Sequence, residues 1–280
     1  MLTYGVRVYS DLGRPPLNAT ALSRALVRPG SFWRDLRVVE STGSTNADLA
    51  DAARAGAPEG SVLVAEAQDA GRGRQGREWV SPPRAGLTFS VLLRPEPVPM
   101  ARWGWLSLLA GVALTRAVGR LGEVDAWLKW PNDLLLGPRR KKGAGLLAEV
   151  ADGGVVVGIG LNVSTVAEEL PRPDTTSLRL EGAACTDRGP LLQAVLRELE
   201  HDYVAWRDAG GDPDASGLRR VYAESCDTIG RYVRVLLPGD RVLTGEAVDL
   251  DADGRLVVRP DGGGPDVAVA AGDVIHVRPT

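Results

Sequence analysis

Along the first two thirds of the chain the apolar positions follow two rhythms. Short runs of Val, Leu and Ala predict strands at RVVEST (37–42), SVLVAEAQ (61–68) and LTFSVLLRP (87–95). The third run is almost wholly apolar, as suits a strand covered on both faces. Between the first two, STNADLADAARAG (44–56) begins on Ser44 and Thr45, either of which caps a helix, and stops at Gly56. From Arg102 to Leu121, the residues Trp103, Leu106, Ala110, Ala113, Ala117 and Leu121 recur at helical spacing and predict a buried amphipathic helix. AWLKWPND (126–133) reads as a strand running into a turn, because Pro131 ends regular pairing. LLL (134–136), the basic turn GPRRKK, GAGLLAEV and VVVGIGLNV continue as consecutive strands. Leu192, Val195, Leu199, Tyr203 and Trp206 line one side of a helix over 190–208.

The texture changes near Cys226. GRYVRVLLP, GEAVDLD, GRLVVRP, DVAVAAGD and VIHVRP are short strands broken by Gly, Asp and Pro, the spacing of a small five-stranded barrel of about 50 residues. The expected organisation is a lead-in over 1–36 belonging to the first domain, an α/β domain over 37–226, and a β-barrel over 227–280. With 280 residues, 44% of them apolar, a sizeable core is available. The net charge of −3 argues against a general nucleic-acid binder, so any anion site must be a local gathering of Arg and Lys. Two cysteines and two histidines make neither a disulfide framework nor a zinc pattern, and the expected location is the cytoplasm. The N-terminus lacks a signal-peptide pattern, and no apolar run reaches the ~20 residues of a membrane span.

Five stretches carry candidate chemistry. AGRGRQGREW (70–79) follows a strand and combines backbone freedom with three arginines. Its spacing is neither a P-loop nor a dinucleotide fingerprint. It could be an anion-binding loop, a solvated loop or an RGG-like segment. In KWPND, Lys129, Asn132 and Asp133 could orient a ligand and hold Mg²⁺, or be ordinary turn chemistry. Lys142 precedes Gly143 and Gly145, while Arg139, Arg140 and Lys141 read as a basic hairpin facing water. Ser44, Thr45 and Asn46 could read a polar group or simply cap. Gly158 and Gly160 thin a buried strand that ends at Asn162.

In this order, STN, Q-x-x-GRGRxGRxW, KWPND, K-x-x-G-L-L and GIGLN, followed by a β-rich tail, the sequence resembles the biotin protein ligases over residues 37–280. The resemblance implies an α/β (α+β) catalytic domain, a mixed sheet with flanking helices of the class II synthetase-like biotin/lipoate ligase type, followed by an SH3-like barrel. It implies ATP-dependent formation of biotinyl-5′-adenylate with release of pyrophosphate, then transfer of biotin to a lysine of the biotin carboxyl carrier domain of acyl-CoA carboxylases. ATP and biotin are then substrates, with Mg²⁺.

By the same resemblance, Ser44, Thr45, Asn46, Gln68, Gly71, Arg72, Gly73, Arg74, Lys142, Gly145 and Gly160 are biotin contacts. Arg72, Arg74, Arg77, Trp79, Lys129, Asn132, Asp133, Lys142 and Asn162 are nucleotide contacts, with Trp79 stacking on adenine. Lys142, Arg72 and Arg74 are the catalytic cations, offsetting repulsion as a carboxylate attacks an α-phosphate. Asp133 is the candidate Mg²⁺ ligand. The Arg-Gly loop is expected to be a lid that excludes water from a mixed anhydride. Gln75 stands where an arginine is common, and Gly143 where a larger apolar residue is usual. Residues 1–36 are too short for the DNA-binding module of bifunctional members, so a monofunctional ligase with no DNA or membrane partner is expected. Family members also pair as homodimers through edge strands. The competing readings are a lipoate ligase or octanoyl transferase of the same superfamily, and a nucleic-acid-binding module using the Arg-Gly loop.

Overall fold

A computed structural model describes residues 13–237, 239, 241–270 and 272–276. The start of the expected lead-in and the end of the last expected strand lie outside them. Helix α1 (Ala19–Leu26) precedes β1 (Asp35–Val39), α2 (Thr45–Arg54), β2 (Ser61–Ala65) and β3 (Gly86–Leu93). Then come α3 (Trp105–Gly122), β4 (Ala126–Lys129), β5 (Asp133–Leu136), β6 (Lys141–Ala151) and β7 (Gly154–Asn162). Helices α4 (Arg188–Asp208) and α5 (Leu218–Ser225) close this part of the chain.

The seven strands form one mixed sheet in the order β1-β2-β3-β7-β6-β5-β4, in which β1 and β2 run parallel. Strand alternation sorts the sheet's side chains onto two faces. Leu87, Phe89, Val91 and Leu93 of β3, with Val155, Val157, Ile159 and Leu161 of β7, join the main core with α3 and α4. The opposite positions, Leu92 and Val156, pack with Leu63 and Ala151 beneath Leu49 and Ala53 of α2. Helix α2 covers only part of that second face. The uncovered part is where β3, β7 and β6 carry Thr88, Gly160 and Gly145, while Ser90 and Gly158 lie beneath the first turn of α2.

Strands β8 (Tyr232–Leu237), β9 (Arg241–Leu250), β10 (Leu256–Pro260), β11 (Val267–Val269) and β12 (Asp273–His276) form a second, antiparallel sheet in the order β11-β10-β9-β8-β12. The turn between β9 and β10 docks on the first unit. The Ala252 carbonyl accepts from Trp105 Nε1 at 2.9 Å and from Arg102 at 2.7 Å. The Gly254 carbonyl accepts from Trp130 Nε1 at 3.1 Å. Gly104 lets the Asp253 carbonyl approach so closely that a Cβ would stand 2.7 Å from it.

At the other end, a buried ion pair holds the lead-in. Arg188 reaches Glu66 at 2.5 Å, with both side chains about 5% exposed (5% and 6%), and also donates to the Pro15 carbonyl at 2.7 Å. The second Glu66 oxygen accepts from the Leu17 N–H at 2.6 Å. Buried charges this well paired lose several kcal/mol when one partner is removed, roughly 3–5.

Candidate active site

One cross-strand row organises the cleft. Register pairs Thr88 with Gly160, Gly160 with Gly145, Gly145 with Asp133, and Asp133 with Lys129, from β3 to β4. Two glycines form its floor and charges stand at one end. The beginning of α2 and Gln68 stand at the other. The resulting cavity encloses about 640 Å³.

At the α2 end, Ser44 caps the helix, its Oγ accepting from the Ala47 N–H. The Gln68 Oε1 accepts from the Thr45 N–H at 2.8 Å and lies 3.0 Å from Thr45 Oγ1. Ser90 is fully buried beneath them, 2.7 Å from Thr45 Oγ1 and 2.6 Å from Asn46 Oδ1. Asn46 is spent within the protein: its Nδ2 donates to the Leu147 carbonyl and to the Glu149 carboxylate.

The Arg-Gly segment is a short hairpin. Trp79 N–H donates to the Gly71 carbonyl at 2.9 Å and Gly73 N–H to the Arg77 carbonyl at 2.7 Å, around a 3₁₀ turn over Arg74–Gly76. A Cβ on Gly71 would lie 2.8 Å from the Gln68 amide nitrogen, so glycine is needed there for space. Gln75 sits in the left-handed region at φ 57° and accepts from Arg77. The hairpin lays Trp79 on the glycine floor: a Cβ on Gly160 would stand 2.6 Å from its Nε1, and one on Gly145 3.2 Å from its ring. Trp79 Nε1 is buried there with no hydrogen-bond partner.

At the far end, three cations converge on one carboxylate. Lys142 Nζ lies 2.6 Å from Asp133 Oδ1. Burial pulls Lys129 below the usual lysine range; Asp133 offsets part of that and Lys142 adds to it. Burial also lowers Arg74, again partly offset by Asp133, and its guanidinium reaches Asn132 at 3.4 Å. Asn132 is fixed by exchange with β6, donating to the Leu146 carbonyl at 2.9 Å. A surplus of positive charge held out of water around one anion suits a polyanionic ligand. Among the described residues no group of three or more His, Cys, Asp or Glu side chains converges to hold a metal.

Ser44, Thr45, Asn46, Gln68, Arg72, Gly73, Arg74, Arg77, Trp79, Lys129, Asn132, Asp133, Lys142, Gly145, Gly160 and Asn162 all line this cavity. Gly71 stands behind it. Lys142, not Lys141, points its ammonium inward, because the register shifts between Leu134 and Leu135 and leaves Gly143 as the extra residue of a bulge. Leu136 fills the room a larger side chain would take at Gly143, its Cγ lying 2.6 Å from the position of a Cβ.

The reading of Arg140 as a solvated hairpin residue is corrected. It lines the cleft with its guanidinium 3.9 Å above the Trp127 ring and 3.6 Å from Asp227. Sequence reasoning also missed the segment around Arg172–Thr175 and the C-terminal residues Asp227, Val274 and His276 at the cleft's rim, and Ser90 buried beneath the first turn of α2. Ser90 left one signal, a hydroxyl two residues after Thr88 inside an otherwise apolar strand.

Comparison with known proteins agrees with this geometry. A profile of the biotin/lipoate A/B protein ligase family matches residues 38–165, and one of the biotin protein ligase C terminal domain matches residues 228–277. The chain belongs to the biotin/lipoate protein ligase family, on its biotin protein ligase branch. It is 48% identical over 272 residues to the biotin–[acetyl-CoA-carboxylase] ligase of Mycobacterium tuberculosis, covering 96% of this chain and 98% of that protein. It is 31% identical over 235 residues to the bifunctional ligase/repressor BirA of Bacillus subtilis, covering 81% of this chain and 69% of that protein. Among solved structures, the biotin protein ligase from Aquifex aeolicus in complex with biotin and ATP superposes with a TM-score of 0.71 at 26% identity. That match covers 88% of this chain and all (100%) of the other.

Proposed function

We propose that this chain is an ATP-dependent biotin protein ligase that charges the carrier domain of an acyl-CoA carboxylase. The observation that carries the reading is the row from Thr88 to Lys129, with a polar reader at one end, an indole over two glycines in the middle, and cations at the other. Biotin's ring lies against Thr45 and Gln68, and its carboxylate meets the α-phosphate beside Lys142. A carboxylate oxygen attacks phosphorus, the bond to the bridging oxygen breaks, and pyrophosphate leaves. Lys142, Arg74 and Arg72 neutralise charge that grows during this step, where preorganised cations act most. Trp79 stacks on adenine and, with the hairpin, shields the mixed anhydride from water. The carrier's lysine amine then attacks the acyl carbon and AMP departs.

Mg²⁺ would enter with the nucleotide substrate; Asp133 would be the residue to hold it, and the ion would offset phosphate charge. No helix among the described residues is long and apolar enough to cross a membrane, and both cysteines are free; we place the enzyme in the cytoplasm. We take residues 37–226 with the lead-in as the catalytic unit and 227–280 as the barrel. A homodimer would pair through β1, since the outer edge of β4 is already bridged by Cys226 and Asp227.

The test is ATP–pyrophosphate exchange with biotin and with lipoate, followed by transfer of labelled biotin to a carboxylase carrier domain. Exchange that requires biotin supports the reading. Exchange with lipoate alone, or no transfer, refutes it.

A further inference from the structure

The protons at the reader end of the cleft can be counted. Four oxygens form a chain, Asn46 Oδ1, Ser90 Oγ, Thr45 Oγ1 and Gln68 Oε1, at successive separations of 2.6, 2.7 and 3.0 Å. Ser90, Thr45 and Asn46 are 0%, 3% and 6% exposed, so only the half-buried Gln68 end meets the cavity, and a bound ring there displaces the water that would mend a mismatch.

Both amide orientations are dictated by other partners. Asn46 Nδ2 faces the Leu147 carbonyl at 3.2 Å and the Glu149 carboxylate at 2.7 Å, two groups that only accept. Its oxygen is therefore the atom turned to Ser90. The Thr45 N–H only donates, so the oxygen of Gln68 is the atom turned to Thr45. Three O···O contacts then share two protons, those of the Ser90 and Thr45 hydroxyls. Wherever these protons go, one pair of oxygens meets lone pair to lone pair.

The strand beneath is shaped to keep this arrangement. A Cβ on Gly158 would stand 2.9 Å from Asn46 Cγ, so only glycine lets the Asn46 amide lie flat on β7.

We propose that Ser90, Asn46 and Glu149 are positioning residues that set head-group specificity. They keep the Thr45–Gln68 reader one proton short, so this end of the cleft selects a head group that donates N–H, as a cyclic urea does. A ring without donors leaves the buried oxygens facing each other, and leaving polar groups unpaired is the strongest form of discrimination a pocket can exert. The proposal rests on the ligase reading above and adds Ser90 and Glu149, which do not line the cavity, with Asn46 between them and the reader.

Two substitutions rebalance the count. Asn46→Leu removes the terminal acceptor and leaves two contacts for two protons. Ser90→Ala leaves one contact for one proton. Glu149→Gln, at an exposed position, removes the charge that orients Asn46 and lets its amide turn. The full-length protein is titrated calorimetrically with biotin and with an isosteric analogue whose two ring N–H groups are CH₂. Wild type is expected to prefer biotin by about 100-fold or more, as sites built to bond a polar group do. Asn46→Leu and Ser90→Ala are expected to shrink that preference at least about tenfold, and Glu149→Gln at least about threefold, with the KM for ATP unmoved.

If every folded variant weakens both ligands equally, or keeps the wild-type preference, the proposal is overturned. Should the two buried variants fail to fold, Glu149→Gln decides alone. Wild-type pyrophosphate exchange with biotin is the control: its absence overturns the ligase reading, whereas an unmoved preference overturns only the proton count.

Discussion

Lys142→Ala separates catalysis from stability. The Lys142 ammonium lies 2.6 Å from Asp133, with the two side chains about one-fifth exposed (21% and 22%). A unit charge about 4 Å from a developing negative charge, at an effective dielectric of ~20, is worth about 4 kcal/mol. Asp133 already draws on that ammonium, and Lys129 and Arg74 remain nearby, so the loss in the transition state is about 3–4 kcal/mol. That is a 10²–10³-fold fall in rate at 1.36 kcal/mol per tenfold. The folded state loses only a partly exposed ion pair whose acid keeps two other cations in reach, about 1 kcal/mol or less. Biotin-dependent pyrophosphate exchange should therefore fall by two to three orders of magnitude, about 10²–10³, while the melting temperature moves by a few degrees, about 4 or less. Exchange within about tenfold of wild type would refute the reasoning, as would Lys141→Ala causing the larger loss.

Two other outcomes test neighbouring parts of the site. Gly160→Ala places a Cβ 2.6 Å from Trp79 Nε1 and closer still to its ring, so the indole must leave the floor. The KM for ATP and the lifetime of bound adenylate should worsen by more than about tenfold, comparable to losing a stacked base contact; an unchanged adenylate lifetime would show that Trp79 does not cover it. His276 lies against Thr228 and Asp227, and burial, with Lys129 nearby, pushes its pKa down to about 4, partly offset by Asp227. The unfolded chain takes up this proton near the ordinary histidine pKa, so stability is full above about 6.5 and lost as pH falls toward 4. Urea midpoints measured across that window should fall more steeply for wild type than for His276→Gln, and parallel curves would dismiss the assignment.

Legibility followed how local each signal was. The apolar runs of β2 and β3 and the helical repeat in α3 announce themselves within a few residues, and both cover the core. Helix α5 was not read because its eight residues carry only Leu218 and Tyr222 on the buried side. The choice of Lys142 over Lys141 depended on a register shift, which spacing alone could only suggest. Arg140 looked like a solvated hairpin residue; the turn carries it, at φ 51°, back over Trp127. The Glu66–Arg188 pair spans 122 positions and has no local trace. Ser90 was hidden by its own surroundings, since the apolar Leu87, Phe89, Val91, Leu92 and Leu93 suggested a strand with nothing polar to do.

The turn at Ala252–Gly254 has a consequence for how the chain comes apart. Its carbonyls hold the indoles of Trp105 and Trp130, the first at the start of the main core helix and the second inside KWPND. Unfolding the small sheet alone would strip two buried indoles of their acceptors and remove the part of the cleft's rim that Val274 and His276 supply. The C-terminal sheet is therefore no tethered accessory: calorimetry should record one melting transition for the whole enzyme, and a chain cut at 227 should lose nucleotide binding together with its heat resistance.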